Sequence, residues 1–98
     1  MFKLDWTDRA RQELWSALAF IAEENPANAQ RVKERTYRTI TNLESFSLGL
    51  PAPAGTQKIY VPKTPYFVIF RRDDRGNVRI CGFVHASRDW ELYDWENL

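Results

Sequence analysis

The chain has one cysteine, Cys81, and one histidine, His85. A lone cysteine excludes an internal disulfide and any cysteine-built zinc site, and it fits a reducing cytoplasm. One histidine among scattered carboxylates offers no ligand pair at helical or hairpin spacing, so no metal is expected. The glycines are few, and Gly49, Gly55, Gly76 and Gly82 match neither a P-loop nor a dinucleotide-binding spacing. No cofactor is expected. No apolar run approaches the roughly 18–20 residues of a membrane span, and no membrane partner is expected. Residues 1–6 lack the apolar stretch of a signal peptide. There is no internal repeat and no low-complexity segment.

What is present is a folded profile, 44% hydrophobic and 28% charged over 98 residues. A chain of this length buries only about 60–65% of its unfolded surface, which excludes a second core. One domain over 1–98 is expected, with 89–98 as an acidic aromatic tail. Aromatic residues make up 14% of the chain, more than a small core requires. The net charge of +1 hides an asymmetry: −2 over residues 1–30, +7 over 31–88 and −4 over 89–98. Ten of the fourteen basic residues are Arg, which favours planar, bidentate recognition of an anionic partner. The same charges also suit a solvated helix face and sheet edges.

Residues 2–6 alternate as a half-buried strand does. Thr7 and Asp8 supply a cap and a negative charge at a helix start. Ala10, Leu14, Ala17, Leu18 and Ile21 then recur on one helical stripe. Asn25-Pro26 opens a second helix, with Asn as cap and Pro in the first turn. Its inner stripe is Ala29, Val32, Thr36, Ile40 and Leu43, and Arg31, Arg35 and Arg38 fall largely outside it. Gly49, Pro51, Pro53 and Gly55 make a loop. Residues 56–61, 66–72 and 78–85 read as strands, with a hairpin loop over 73–77. Strict alternation in the last strand puts Val78, Ile80, Gly82 and Val84 on one face and Arg79, Cys81, Phe83 and His85 on the other. The order β-α-α-β-β-β predicts an α+β fold: a small, mostly antiparallel four-stranded sheet with a two-helix hairpin on one face. The second face is either open to a partner, with Phe67 and Ile69 or Tyr66, Val68 and Phe70 on it, or covered by the tail through Trp90, Leu92, Tyr93 and Trp95.

Nucleophilic catalysis has little support. Cys81 and His85 lie four strand residues apart, about 13 Å at roughly 3.3 Å per residue, beyond hydrogen-bond reach. Acid–base RNA cleavage is the one enzymatic option. It needs a base, an acid and cations. His85, Arg71 or Arg72, Arg79, Arg88 and Lys58 supply such groups if their strands are adjacent.

The segment Val84-His85-Ala86-Ser87-Arg88-Asp89-Trp90 resembles the end of the RelE/ParE toxin superfamily of bacterial type II toxin–antitoxin systems. Other pieces agree in order. Leu4-Asp5-Trp6-Thr7 is similar to the family's opening strand and cap, and Ile21-Ala22-Glu23-Glu24-Asn25-Pro26 to the link between its helices. Ile59-Tyr60-Val61-Pro62 and Pro65-Tyr66-Phe67-Val68-Ile69-Phe70-Arg71 are similar to its next two strands. The resemblance runs from residue 2 to 90 and is closest to the ParE branch. That branch is held inactive by an antitoxin encoded beside it and, once released, poisons DNA gyrase by binding, without catalysis. The RelE branch cleaves mRNA in the ribosomal A site with clustered cations and a catalytic Tyr or His. This chain departs from the RelE pattern in its near-neutral charge, its acidic tail and its single strand lysine, Lys58.

The resemblance implies a cognate antitoxin as main partner and gyrase as target. Arg71, Arg72, Arg79, His85, Arg88 and Trp90 are the expected target contacts. An antitoxin helix laid on the helix pair or sheet is expected to meet Arg31, Arg35, Arg38, Phe67 and Phe83. Operator DNA is reached only through the antitoxin. The alternative is a RelE-like, ribosome-dependent endoribonuclease using His85, Tyr93, Arg72, Arg79 and Lys58 on mRNA. A third reading is a degenerate, non-toxic member serving as antitoxin ligand and corepressor.

Overall fold

Two short polar side chains set the register of the helical half. A computed structural model of the chain describes residues 3–45 and 49–97, with the backbone alone for 44 and 45. Phe2, expected at the start of the first strand, lies outside the described residues. Strand β1 is Leu4–Trp6 and helix α1 is Asp8–Glu24. Thr7 Oγ1 accepts the amide of Ala10 at 3.1 Å and starts α1. Helix α2 is Pro26–Ser45. Asn25 serves both helices: its amide donates to Ile21 O at 2.9 Å, closing α1, and its Oδ1 accepts the amide of Asn28 at 3.0 Å, opening α2. Asn25→Ala is expected to cost about 1 kcal/mol through the lost cap, read as a shift in urea midpoint at constant slope. Both inner stripes are where the sequence spacing put them. Ala10, Leu14 and Leu18 are buried with Ala29, Val32, Thr36, Ile40 and Leu43.

The second half is a meander with one addition. Strands β2 (Leu50–Pro51), β3 (Gln57–Tyr60), β4 (Tyr66–Arg72) and β5 (Val78–His85) join β1 in a sheet of order β1-β5-β4-β3-β2. The sheet therefore has five strands where four were expected. The extra strand is two residues long, and Pro51 is tolerated there because an edge strand need not donate on its outer side. β1 pairs parallel with β5, and the other pairings are antiparallel.

The alternation expected in β5 fails at one residue. Ile80 faces Phe70 and Gly82 faces Ile69, so Cys81 is an extra residue on the β5 side of a bulge. Beyond it the face assignment flips. Val78, Ile80 and Phe83 share the helix-side core with Val68 and Phe70, while Cys81 and Val84 join the opposite core with Phe67 and Ile69. Phe83 is thus on the helix side, not beside Cys81.

β1 stops at Trp6 opposite Ile80, leaving the rest of the β5 edge without a strand partner on that side. Side chains near the start of α1 take its place. Thr7 Oγ1 donates to Cys81 O at 3.3 Å, and Glu13 Oε1 accepts the amide of Phe83 at 3.3 Å.

The second sheet face is covered. A short 3-10 turn, Trp90–Leu92, brings the tail back across it. Trp90 and Trp95 are buried against Phe67, Ile69, Cys81 and Val84. Leu92, which the sequence offered to the same cover, is instead exposed. Arg71 Nη2 donates to Trp95 O at 2.6 Å, and Trp95 Nε1 donates to Trp90 O at 2.7 Å. The guanidinium of Arg9 lies 4.2 Å from the Tyr93 ring centroid and 5.0 Å from that of Trp95. Among the described residues no helix is long and apolar enough to cross a membrane.

Candidate functional site

His85 ends β5 in register with Tyr66, the first residue of β4. The Tyr66 ring stacks on Phe83 at 4.7 Å and meets His85 edge-on at 5.2 Å. His85 Nδ1 accepts the backbone amide of Ser87 at 3.1 Å and lies 2.7 Å from its hydroxyl. The amide has only a proton to give, so Nδ1 is the acceptor in this arrangement. A groove of about 500 Å³ opens here between α1 and the chain beyond β5, lined among others by Glu13, Phe20, Tyr66, His85, Arg88 and Tyr93.

Glu13 is the group that sequence reading passed over. It borders the inner stripe of α1, and its ion pair with Arg9 spans 3.7 Å. Burial pushes its carboxyl above the usual carboxylate range, opposed by the Phe83 amide bond and Arg9. A carboxyl whose folded pKa is raised favours the fold in its protonated form. That contribution is complete below the unfolded value of 4.5 and fades as pH rises through the folded value. Glu13→Gln is therefore expected to flatten part of the decline in stability from pH 4.5 upward. Urea midpoints of both proteins across that range test this, and parallel curves would contradict it. Burial also raises the Tyr66 hydroxyl, with Arg88 acting against it. The Cys81 thiol is buried and raised by that burial, against the pull of Arg71 and Arg79, and so is poorly disposed to nucleophilic chemistry.

Only some of the residues proposed from sequence converge on this groove. His85, Arg88 and Tyr93 line it. Arg71, Arg72 and Arg79 sit at the other end of β4 and β5, where Arg71 faces Arg79 and Arg72 faces Val78. Arg71 lies five residue steps beyond Tyr66 along β4, about 17 Å at roughly 3.3 Å each. Lys58 pairs with Ile69, on the face covered by the tail, and its Nζ lies 5.3 Å from the Phe67 ring and 5.4 Å from that of Trp90. The nuclease set is thus divided between two faces and two ends of the sheet. Antiparallel strands placed these residues on neighbouring backbones, but the register put them at opposite ends.

Trp90, expected at the target surface, is a core residue. Phe67 and Phe83, expected against an antitoxin, are 4% and 3% exposed and present no surface. The bulge turned Phe83 under the helices, and the tail covered Phe67. Arg31 and Arg38 are exposed on α2 and Arg35 is half-buried. Among the described residues no ion pair engages these three. No cluster of three or more His, Cys, Asp or Glu suited to a metal occurs among the described residues.

Comparison with known proteins places this geometry. Several solved structures share the fold, three of them as follows. The first is a chromosomal ParDE toxin–antitoxin system from P. aeruginosa, with TM-score 0.76, 18% identity, and 87% of this chain and 96% of that one covered. The second is a YoeB/ParE toxin from Agrobacterium tumefaciens, with TM-score 0.57, 15% identity, and coverage of 86% and 98%. The third is the intact E. coli RelBE toxin–antitoxin complex, with TM-score 0.56, 17% identity, and coverage of 90% and 100%. A sequence search of curated proteins finds no significant match. The family model described as the ParE toxin of the type II toxin–antitoxin system parDE matches residues 4–90, from β1 to the buried Trp90. The chain therefore belongs to the ParE toxin family of type II toxin–antitoxin systems.

Proposed function

We propose that this chain inhibits DNA gyrase by binding it, without catalysing a reaction, and is neutralised by a cognate antitoxin in the cytoplasm. The observation that carries this over mRNA cleavage is the division of the nuclease set. Lys58 lies on the tail-covered face, while Arg72 and Arg79 stand at the sheet end remote from His85 and Tyr93. Acid–base cleavage needs its acid, base and cations within hydrogen-bond reach of one phosphate. The Nδ1 of His85 is moreover occupied by Ser87. The exposed contacts left for a target are Arg79 at one end of the sheet and Arg88, with half-buried His85, at the other.

The test is supercoiling by purified gyrase, titrated with the purified chain. Inhibition with no ribosome present, reversed by the antitoxin, is expected. Unimpaired supercoiling together with ribosome-dependent mRNA cuts would favour the nuclease alternative. Neither activity, with tight antitoxin binding, would favour the corepressor alternative.

For the antitoxin, the helix hairpin offers both charge and apolar surface. Arg31, Arg35 and Arg38 supply the charge, and the exposed Trp15, Phe20 and Tyr37 supply apolar area that the buried Phe67 and Phe83 do not. An antitoxin segment carrying acidic residues and an apolar helix face fits this surface. Its complex is expected to loosen steadily as salt rises. Equal affinity in dilute and molar salt, measured by titration calorimetry, would contradict the electrostatic part.

A further inference from the structure

The sheet end remote from His85 forms a second concavity, a cup of about 460 Å³. Lys3, Arg71, Arg72 and Arg79 line it, against the carboxylates of Asp5 and Asp73. Arg71 and Arg79 are direct cross-strand neighbours, a like-charge pairing that a sheet bears at a cost. Each guanidinium is placed differently. Arg71 Nη1 donates to Ala54 O at 2.7 Å and its Nη2 to Trp95 O, which fixes it. Arg79 lies 3.3 Å from Asp5, but the two side chains are 55% and 60% exposed, so solvent and salt screen that pair. Arg72 Nη1 donates to Leu43 O at 3.3 Å near the end of α2, while its Nη2 is buried without an acceptor among the described residues. A buried guanidinium N–H left unsatisfied is costly, so Arg72 is held in the cup wall at some expense.

The frame is rigid. The carboxylate of Asp73 accepts the amides of Arg75 at 2.8 Å and Asn77 at 2.9 Å, and the Asn77 side-chain amide at 2.9 Å. Lys3 is tied to the same loop, its amide donating to Asn77 Oδ1 at 2.9 Å. These bonds hold the β4–β5 hairpin with Arg72 and Arg79 on its two limbs.

We infer that this cup takes the phosphodiester backbone of DNA, an inference that rests on the gyrase reading because gyrase works on DNA. Arg forks match phosphate oxygens in pairs, and backbone contacts of this kind need cations rather than shape. The lining also argues against a peptide. Protein partners are held by aromatic or aliphatic anchors, and the one hydrophobic lining residue, Val78, is buried. Nucleic-acid backbone needs no such anchor.

The test is fluorescence anisotropy of a short labelled DNA duplex with the full chain, at several salt concentrations. Lys3→Ala combined with Arg79→Ala alters only exposed side chains, so the fold should persist, and circular dichroism checks that. Duplex binding is expected to weaken about ten-fold, with the log–log salt slope reduced by about two. Three results would overturn the cup: a parent chain that binds no duplex, a double variant that binds as the parent does, or polyglutamate displacing the duplex at equal charge. A chain that inhibits gyrase but binds no duplex loses the cup and keeps its target. One that binds duplex through Lys3 and Arg79 but leaves gyrase untouched keeps the cup and loses the target.

Discussion

Trp95→Ala is expected to destabilise the protein by about 3–5 kcal/mol, the range for truncating a large buried aromatic. That is a large part of the roughly 5–15 kcal/mol that holds a small domain together. Trp95 is 1% exposed and the largest fully buried side chain among the described residues. Its indole N–H donates to Trp90 O, its ring meets Trp90 and Tyr93, and Arg9 lies over it. The backbone of Trp95 takes the bond from Arg71. Losing the ring therefore removes packing and leaves Trp90 O without that donor. The expected readout is a much lower urea midpoint together with faster proteolysis near residues 90–97. A loss under 1 kcal/mol with an intact tail would contradict the placement of Trp95 as the lock on the second face.

Gly82→Ala is the second large effect, and its cause is specific. A Cβ there would stand 2.5 Å from Trp95 Cη2 and 2.7 Å from Cζ3, with Glu13 Oε1 at 3.2 Å. Real carbons do not approach so closely, so the ring or the strand must move, and overpacking of this kind costs about 1–3 kcal/mol. The ring is held by its own hydrogen bond and by Arg9, which limits how far it can give. A double-mutant cycle isolates the cause. In the Trp95→Ala background the added methyl meets no ring, so Gly82→Ala should cost little or even stabilise by filling space. Strong non-additivity is the expected outcome. Equal costs in both backgrounds would mean that Gly82 is required for another reason.

The helical half was legible because a period of 3.6 leaves an unambiguous stripe and because Asn25-Pro26 combines a cap with a fixed φ. The meander was legible because Tyr66–Arg72 is apolar on both faces and its loops carry turn residues. The bulge at Cys81 was not. When both faces of a strand are buried, alternation carries no register information, and one extra residue flips Phe83 without any mark in composition. The two-residue strand at Leu50–Pro51 is too short for a periodic signal. The tail was readable as a candidate cover from Trp90, Tyr93 and Trp95, but its choice between covering and exposing depended on Arg9, Arg71 and the space left by Gly82.

The site was less legible than the fold. Sequence reading grouped His85, Arg88 and the strand arginines as one set of target contacts. The hairpin at Asp73–Asn77 puts Arg71, Arg72 and Arg79 at the opposite end from His85. Glu13 was missed because a carboxylate beside an apolar stripe looks like an ordinary solvated position. Only the end of β1 at Trp6, which leaves the Phe83 amide without a strand on that edge of β5, makes Glu13 a structural acceptor.

The most direct test of the proposed function is pulse labelling of DNA and protein synthesis in the first minutes after the chain is induced without its antitoxin. If the chain poisons gyrase, incorporation into DNA falls first while protein synthesis continues. Protein synthesis failing first, with mRNA cut only where ribosomes are present, would contradict that target and return His85 and Tyr93 to a catalytic role.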